Sequence, residues 1–371
     1  METVTITVTE SHWEDELIRR AGRAIAAGEL VVFPTETVYG LAASAVHAGA
    51  IDAMSRLKQR TADKPFTLHL AEPAEAAAYA GHLPVVAQRI IRKVWPGPLT
   101  LVVPDRRKKP GLPEGLIEEA VYHAGTVGLR CPSHAIGRAI LKAAGVPVAA
   151  TSANLAGRNP PRTAAEALAH LKGLVPLVVD SGPTQFSSAS SVVRVGADDS
   201  WEVLREGAVT TRRVERLART RILIICTGNM CRSPMAAGLA RQMLAERLGC
   251  RPDLLRVHGL EVASAGTAAF GGSAASDNAV EVLEERGIDL TKHRSQPVTV
   301  DALLAADYIW VMTRSHLEWV VRQAPEVASR VSLLDPLGRD VPDPVGGTLE
   351  AYRACARHLE EALAEKLMEI V

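Results

Sequence analysis

The stretch from Ile222 to Pro234 constrains the fold of this chain more than any other, because it combines a buried strand, a tight loop and a helix start. Its first four residues, ILII, are apolar and mostly β-branched, which is typical of a parallel-sheet strand buried on both faces. The residues that follow from Met235 onward, MAAGLARQMLAERL, are strong helix formers. Ser233 suits the helix N-cap and Pro234 the first helical position. The stretch therefore predicts a strand–loop–helix unit of an α/β domain.

The loop of this unit places a thiol and an arginine around a concave backbone. Five residues separate Cys226 from Arg232, and Gly228 among them permits backbone angles that turn successive N–H groups inward. Such a nest at a helix N-terminus binds anions, and the guanidinium of Arg232 offers donors to two further phosphate oxygens. In that positive field the Cys226 thiol should ionise readily to a thiolate that attacks phosphorus. Asp343, which precedes Pro344 on a Pro/Gly-rich loop, is the best-placed general acid.

The C-terminal half, from about Arg221, resembles the low-molecular-weight protein-tyrosine phosphatases. Beyond the loop, the similarity includes SAGT, GIDLTKHRS with His293, the Met312-Thr313 pair and the Asp343-Pro344 pair. The resemblance implies a doubly wound parallel-sheet domain in which Cys226 is the nucleophile, Arg232 the phosphate clamp and Asp343 the acid. It also implies a set of residues that support the phosphate loop: Thr227, Gly228, Asn229, Met230, Cys231, Ser233 and Ser264.

Two departures from this family leave the substrate open. Val345, Gly346 and Gly347 follow the Asp-Pro pair, where members that act on phosphotyrosine usually carry aromatic residues. This form is similar to the bacterial branch that contains protein-arginine phosphatases, but those enzymes have a threonine where this chain has Met230. Phosphotyrosine and phosphoarginine proteins therefore both stay open as substrates.

Cysteine usage separates further alternatives. Thioredoxin-coupled arsenate reductases share the strand, loop and helix but need two more cysteines downstream, and Met312 stands at the position of the first, which disfavours arsenate reduction. Cys231, within the loop, suggests a reversible disulfide with Cys226 that protects the nucleophile from over-oxidation. The remaining cysteines, Cys131, Cys250 and Cys355, are predicted to be buried structural thiols.

Length and charge restrict the class of the whole protein. A chain of 371 residues predicts two or three domains, and the charged stretch near residues 210–220 predicts a boundary that gives domains 1–218 and 219–371. Lys plus Arg and Asp plus Glu both number 42, which disfavours nucleic acid or an anionic membrane as the main partner. The basic cluster at residues 106–109 predicts a solvated loop, with an RNA-binding patch as the alternative.

The N-terminus lacks the pattern of a signal peptide, no apolar run is long enough to span a bilayer, and the odd cysteine count indicates a reducing compartment. We therefore expect a cytoplasmic protein with no membrane partner. No sequence pattern indicates a protein-bound metal.

Polar residues punctuate the strands of the N-terminal half. LVVFPTETVYGLAA, from Leu30, predicts a buried strand interrupted at Pro34, a Thr-Glu-Thr turn and a second apolar strand that ends at Gly40. Lys58 and Arg60 lie near the end of a predicted helix, beside a Pro-containing loop. Two such cations suit an anionic ligand such as a nucleotide phosphate, although spacing alone also allows a solvated helix end.

The motifs of this half occur in the order found in the YrdC-like threonylcarbamoyl-AMP synthases, and the resemblance covers nearly all of residues 20–210. They are PTETVYGL, KxR followed by KPFTLHL, WPGPLTLV, GLRCPSH, TSAN and LREGA. The resemblance implies an α/β domain with a twisted, mixed sheet and a deep basic cleft. It implies synthesis of threonylcarbamoyl-adenylate from L-threonine, bicarbonate and ATP, with release of pyrophosphate and transfer by other proteins to a tRNA adenosine.

The same resemblance implies two groups of site residues. Threonine would contact Thr35, His69, Arg130 and Ser190, with Arg130 as the partner of its carboxylate. ATP would contact Lys58, Arg60, Lys64, Thr126, Ser152, Asn154, Arg162 and Arg205. Mg²⁺ and the first three of these would neutralise the triphosphate.

Two alternative functions concern the N-terminal half. It could be an RNA-binding or regulatory module without synthase activity that serves the phosphatase. It could also belong to a carbamoyl-transfer enzyme of hydrogenase maturation, but the acylphosphatase domain and cysteine-rich zinc modules of those proteins have no counterpart in the sequence. We therefore expect a bifunctional enzyme, a synthase joined to a phosphatase.

Overall fold

A computed structural model describes residues 1–9, 15–61, 63–107 and 114–370. The chain divides into two units, Met1–Ala218 and Arg219–Val371. Each unit combines a β-sheet with packed helices, so the prediction of two α/β domains is confirmed. Within the described residues, no helix is long and apolar enough to cross a membrane.

The first unit is built on a large mixed sheet. Ten of its strands lie in the order β1-β9-β2-β3-β8-β4-β7-β5-β10-β11, and β6 pairs with β7. The sheet contains both parallel neighbours, such as β4 and β7, and antiparallel ones, such as β3 and β8. The strands are β1 (Val4–Thr7), β2 (Val31–Phe33), β3 (Gly40–Ser44), β4 (Thr67–His69), β5 (Leu99–Pro104), β6 (Tyr122–His123), β7 (Thr126–Arg130), β8 (Val148–Ser152), β9 (Leu177–Asp180), β10 (Ser191–Val195) and β11 (Trp201–Arg205).

Helices cover both faces of this sheet, because its central strands carry apolar side chains on both sides. Val32 belongs to one core, whereas its neighbours Val31 and Phe33 belong to another, as the alternation of a strand requires. The helices are α1 (Asp15–Ala26), α2 (Ala48–Lys58), α3 (Ala76–Ala80), α4 (Val85–Val94), α5 (Glu118–Val121), α6 (Ala135–Ala144), α7 (Ala164–Leu171) and α8 (Thr211–Ala218). A short 3-10 turn lies at Pro73–Glu75.

One sequence prediction in this unit is wrong. The second strand of the LVVFPTETVYGLAA segment begins at Gly40 rather than ending there. Residues 34–39 are buried but irregular, and their polar groups are satisfied outside a ladder: the Thr35 hydroxyl donates to the Val38 carbonyl at 2.6 Å, and the Tyr39 N–H donates to the Pro161 carbonyl at 2.8 Å.

The second unit is a doubly wound parallel sheet, as predicted. Its strands β12 (Thr220–Cys226), β13 (Leu260–Gly266), β14 (Tyr308–Val311) and β15 (Val331–Leu333) lie in the order β13-β12-β14-β15 with every pair parallel. Ile222 and Ile224 pack into one core and Leu223 and Ile225 into the other, so the ILII strand is buried on both faces. The helices are α9 (Arg232–Leu248), α10 (Asp277–Glu284), α11 (Val300–Ala305), α12 (Arg314–Gln323) and α13 (Leu349–Lys366). Short 3-10 turns lie at Pro252–Leu254, Pro325–Arg330 and Leu367–Glu369.

Side chains of the predicted basic loop have specific partners, and one cysteine is less buried than predicted. In the basic cluster, Arg107 pairs with Asp105 at 2.6 Å and stacks over the Tyr122 ring at 4.0 Å, while Arg106 donates to the Ala197 carbonyl at 2.6 Å. Lys108 and Lys109 lie outside the described residues. The five cysteines are free thiols, and Cys250 is half-buried rather than buried because it follows the end of α9.

Candidate active sites

A cavity of about 390 Å³ opens in the first unit where the ends of several central strands meet. Its walls carry eight of the twelve residues predicted to bind threonine or ATP. They are Thr35, Arg60, His69, Thr126, Arg130, Ser152, Ser190 and Arg205. We call this cavity the cleft.

Strand pairing brings these side chains together. His69 ends β4 and pairs directly with Arg130, which ends the parallel strand β7. Ser152 ends β8 and pairs with Gly40, the first residue of β3. Because β3, β8, β4 and β7 are neighbours in the sheet, residues more than 80 positions apart in the sequence share one cleft.

Arg130 is a buried cation on the cleft wall. Its Nη2 donates to Glu36 Oε1 at 2.9 Å and to Thr37 Oγ1 at 2.6 Å. Its Nε is buried and has no hydrogen-bond partner among the described residues. Burial, followed by the charge of Arg130, lowers the pKa of His69 to about 3, so His69 is neutral at physiological pH.

A second cation, Arg205, lies beside Ser190. Arg205 Nη2 donates to the Ser190 carbonyl at 2.8 Å, and the Ser190 hydroxyl lies 3.0 Å from that of Thr100. Ser190 directly precedes β10, and Arg205 is the last residue of β11, which pairs with β10 in a hairpin. Burial lowers the pKa of Arg205, and the nearby charge of Arg130 lowers it further.

Lys58 stands behind the wall of the cleft at the end of α2. Its Nζ donates to the Ser152 carbonyl at 3.0 Å, and to the carbonyl and side-chain oxygens of Asn154 at 2.7 and 3.0 Å. Burial, and then the charge of Arg60, lower the pKa of Lys58 to about 8. Arg60 stacks over the Phe66 ring at 4.6 Å, and burial lowers its pKa also.

Four of the predicted ATP-binding residues do not line the cleft: Lys58 and Asn154, which bond to each other behind its wall, and Lys64 and Arg162. Lys64 is exposed, and its carbonyl accepts from Arg60 Nε. Arg162 lines a neighbouring cavity of about 550 Å³, which shares Val38, Pro160 and Ala189 with the cleft. The structure therefore concentrates Arg60, Arg130 and Arg205 in the cleft, with Lys58 directly behind.

The phosphate loop of the second unit, residues 226–232, is organised around Asn229. Asn229 has a left-handed backbone with φ of 55°, and it is fully buried. Its Nδ2 donates to the hydroxyls of Ser233 and Ser264, both at 2.9 Å, and its Oδ1 accepts the Gln296 N–H at 2.9 Å. Its carbonyl lies 2.7 Å from His293 Nε2, so the conformation of the loop is held from four directions.

These contacts correct two sequence predictions. Asn229, not Gly228, takes the unusual backbone angles, because its short polar side chain tolerates the left-handed region and is bonded in place. Ser233 is not the N-cap: α9 begins at Arg232 with Cys231 before it. The Ser233 hydroxyl instead lies 2.9 Å from the sulfur of Cys226, so its partner is the predicted nucleophile and not the helix end.

Cys226 lies at the end of β12 with polar neighbours around its sulfur. The Asn229 N–H donates to Sγ at 3.2 Å, in addition to the Ser233 hydroxyl contact. Both groups can donate to a thiolate, and both are buried. Two buried hydrogen-bond donors therefore face the sulfur.

Arg232 reaches from the first turn of α9 to the loop that carries Asp343. Its side chain is buried, its Nη1 donates to the Val341 carbonyl at 3.1 Å, and its Nη2 forms an ion pair with Asp343. Asp343 is partly exposed and also accepts the Val345 N–H at 3.3 Å. The loop of the predicted nucleophile Cys226, the predicted clamp Arg232 and the predicted acid Asp343 thus lie together in one site.

The structure adds functional neighbours that sequence reasoning missed. His316 Nε2 lies 2.9 Å from Thr227 Oγ1, and its Nδ1 lies 2.7 Å from Thr313 Oγ1. Burial, and then the charge of Arg232, lower the pKa of His316. Thr313 caps α12, and a Thr-x-x-His cap is a sequence signal. The contact of His316 with Thr227, however, spans 89 positions of the chain.

Cys231 faces away from the loop toward other elements. Its sulfur lies 3.3 Å from the Ser276 hydroxyl and 3.2 Å from the Tyr352 hydroxyl on α13. Cys226 and Cys231 are both free thiols in the structure. A reversible disulfide between them stays a prediction.

Exposed apolar side chains lie on segments that adjoin the phosphate loop. Phe270 is 89% exposed, on a segment whose Thr267 N–H donates to the Cys226 carbonyl at 2.9 Å. Val345, which follows the Asp-Pro pair, is 68% exposed, and Met230 in the loop is 39% exposed. Such groups suit a substrate with an apolar or planar body.

Known proteins are similar to the two units separately. The family model described as telomere recombination, for Sua5, YciO and YrdC proteins, matches residues 23–207. The model of the low molecular weight phosphotyrosine protein phosphatases matches residues 221–371.

Two relatives illustrate this division. The threonylcarbamoyl-AMP synthase of Bacillus subtilis is 36% identical over 202 residues, which cover 54% of this chain but only 56% of that protein. The protein-arginine-phosphatase of Geobacillus stearothermophilus is 38% identical over 154 residues, which cover 40% of this chain and 95% of that protein.

A solved structure of P. abyssi Sua5 complexed with L-threonine has a TM-score of 0.53 at 21% identity. The alignment covers 97% of this chain and 98% of that protein, and at this identity it establishes likeness of fold alone.

Proposed function

Because the chain belongs to the Sua5/YciO/YrdC family in its N-terminal unit and to the low-molecular-weight phosphatase family in its C-terminal unit, we propose that it is a bifunctional enzyme. The N-terminal unit makes threonylcarbamoyl-AMP from L-threonine, bicarbonate and ATP. The C-terminal unit removes phosphate from a phosphoprotein through a cysteine thiolate. The observation that supports this proposal is that the cleft of the first unit is lined by Arg60, Arg130 and Arg205, and that the loop of Cys226 in the second unit ends at the buried Arg232.

The cleft supports the synthase through electrostatics. Threonine and bicarbonate condense to a carbamate with loss of water, a carbamate oxygen attacks the α-phosphorus of ATP, and pyrophosphate leaves with the electrons of the broken P–O bond. Both reactants are anions, so a site that aligns them and offsets their charge supplies much of the rate. Burial lowers the pKa of Lys58 to about 8 and lowers that of Arg60, which indicates cations short of anionic partners.

The residues that line the cleft suggest which wall binds threonine and which binds the nucleotide. Arg130, with neutral His69 beside it and Thr35 on the same wall, suits the carboxylate and hydroxyl of threonine. The walls at Arg60, Thr126, Ser152 and Arg205 suit the nucleotide. Mg²⁺ would arrive with the triphosphate, since the described residues contain no cluster of three or more metal ligands. The product would pass to the tRNA-modifying machinery, and direct tRNA binding is not required.

The synthase test is release of pyrophosphate from ATP. We expect release that requires both threonine and bicarbonate and that falls at least about 10²-fold in Arg60→Ala. Pyrophosphate release that does not depend on threonine would favour the RNA-binding or regulatory module. So would protein that is folded and binds ATP but releases no pyrophosphate.

The phosphate loop supports a two-step hydrolysis. The Cys226 thiolate attacks phosphorus, the bond to the substrate oxygen or nitrogen breaks, and Asp343 protonates that leaving atom. A water that gives its proton to Asp343 then attacks the phosphocysteine, which releases phosphate and restores the thiolate.

The ion pair of Arg232 with Asp343 fits this sequence. A bound phosphate dianion would compete for Arg232 and place a like charge beside Asp343. Like charge favours the protonated form of a carboxyl group, which is the form a general acid needs.

The phosphorylated residue is phosphotyrosine or phosphoarginine. Exposed Phe270 offers a ring that could stack on either a tyrosine ring or a planar guanidinium. The similarity to an arginine phosphatase over 95% of that protein favours phosphoarginine, while Met230 departs from the arginine-specific pattern. Parallel assays on one protein carrying either modification, with Phe270→Ala as the variant, test this point. A preference of about tenfold or more for one substrate decides between them.

A further inference from the structure

Glu36 is a buried carboxylate with no role so far assigned. It lies in the irregular segment between β2 and β3, next to Thr35, and is only 2% exposed. Its Oε1 accepts from Arg130 Nη2 at 2.9 Å, and its Oε2 accepts from the Ser133 N–H at 3.1 Å. Both oxygens are therefore engaged by the protein, so Glu36 does not itself need a substrate group.

Glu36 and Thr37 together hold one edge of the Arg130 guanidinium. The same Nη2 that meets Glu36 also donates to Thr37 Oγ1 at 2.6 Å. The Nε–H of Arg130 is buried without a partner among the described residues, on a side chain that lines the cleft. A buried donor left unpaired has lost its water without gaining an acceptor, so the site is stabilised when an acceptor fills that place.

The charges around Arg130 explain why an anchor is needed. Arg205 lies close enough for the two charges to affect each other, and the charge of Arg130 also reaches His69. The charge of Arg205 repels the guanidinium of Arg130, whereas the buried carboxylate of Glu36 forms an ion pair with it. Its charge keeps the guanidinium folded into the wall in one orientation.

We propose that Glu36, with Thr37, is a positioning residue that aims the free Nε edge of Arg130 at the carboxylate of the amino-acid substrate and so selects for an α-carboxylate. This inference rests on the proposed synthase function. It differs from that function because it assigns carboxylate selectivity to two residues that do not touch the substrate.

The test compares L-threonine with L-threoninamide, which lacks the carboxylate charge, by calorimetric binding to the full chain. In the wild type we expect L-threonine to bind at least about tenfold more tightly than the amide. In Glu36→Gln that ratio should fall about tenfold, with the KM for ATP unchanged within about twofold. If Glu36 instead contacted the substrate amine, both ligands would weaken equally and the proposal would be overturned.

Two further variants keep the test decisive if Glu36→Gln does not fold. Thr37→Val is isosteric and removes one acceptor of Nη2, so the threonine-to-amide ratio should fall about threefold or more, whereas Thr37→Ser should retain it. Glu72→Gln removes the exposed ion pair of Glu72 with Arg138 and should leave both ligands unaffected.

The outcomes separate the two levels of inference. A wild type that binds neither ligand and releases no threonine-dependent pyrophosphate contradicts the proposed synthase and the positioning role together. A wild type that binds threonine, with a ratio unchanged in Glu36→Gln and Thr37→Val, contradicts the positioning role alone.

Discussion

Replacement of Asn229 should measure how much the phosphate loop depends on one side chain. Asn229 makes three side-chain hydrogen bonds, all at 2.9 Å, to Ser233, Ser264 and the Gln296 backbone. It also holds a left-handed backbone with φ of 55°. Asn229→Ala removes the bonds and strains the backbone, whereas Asn229→Gly removes the bonds but accepts the same backbone angles.

The magnitudes follow from these contacts. At about 1 kcal/mol for each buried hydrogen bond, both variants should lower the free energy of unfolding of the second unit by about 3 kcal/mol. A left-handed alanine costs about a further 1 kcal/mol, so Asn229→Ala should lose about 4 kcal/mol. Phosphatase kcat should fall in both variants, because the Asn229 N–H no longer meets the Cys226 sulfur in a fixed place.

Hydrogen exchange in the full-length protein is the suitable assay. The slowest amides of β12, between Ile222 and Ile225, report the unfolding of the second unit independently of the first. Losses below about 1 kcal/mol in both variants would show that the bonds do not hold the loop. An alanine variant at least as stable as the glycine variant would refute the reasoning about the left-handed backbone.

Three further predictions concern charge and proton transfer. Burial lowers the pKa of Lys58 to about 8, so the KM for ATP should rise as the pH increases through 8, because the neutral amine no longer attracts the triphosphate. Lys58→Arg should abolish this rise. A wild-type KM for ATP that stays constant from pH 7 to 9 would contradict the prediction. The pKa of His69 is lowered to about 3, so ionisation of His69 should not change the KM for threonine between pH 5 and 8. A change of the KM in that range that disappears in His69→Gln would show that His69 is not neutral there. Asp343→Asn should lower phosphatase kcat by about 10²–10⁴-fold on phenyl phosphate but far less on 2,4-dinitrophenyl phosphate, whose leaving group needs no proton; equal losses on both esters would rule out Asp343 as the acid.

Local patterns predicted the main features of the second unit. Four consecutive apolar residues from Ile222 to Ile225 suit only a strand covered on both faces, and the structure has helices on both sides of it. The position of Cys226 at the strand end follows from chain order alone. The helix start was predicted less well, because α9 begins at Arg232, before the predicted N-cap Ser233 and the predicted first helical residue Pro234.

The finer roles in the loop depend on distant residues. Ser233 has the side chain of a good N-cap, but Ser264 and Asn229 draw its hydroxyl into a network beside Cys226. No local sequence pattern indicates that Ser264, on the neighbouring strand β13, lies close to this loop. The contact between His316 and Thr227 is hidden for the same reason.

In the first unit, the motifs predicted which segments form the cleft but not which of their side chains line it. Arg60 and Lys64 are equally basic in the sequence, yet Arg60 turns into the cleft over Phe66 while Lys64 stays exposed. Glu36 was read only as part of a turn, because a buried carboxylate is recognised by its partner, and Arg130 lies 94 residues away.

The most direct test of two separate catalytic sites in one chain is a paired assay of full-length Cys226→Ser beside the wild type. Phosphatase turnover should fall by at least about 10⁴-fold, because serine cannot supply the thiolate nucleophile. Threonine- and bicarbonate-dependent release of pyrophosphate from ATP should stay at the wild-type rate. Phosphate hydrolysis that persists in this variant, or pyrophosphate release that falls with it, would contradict two independent sites.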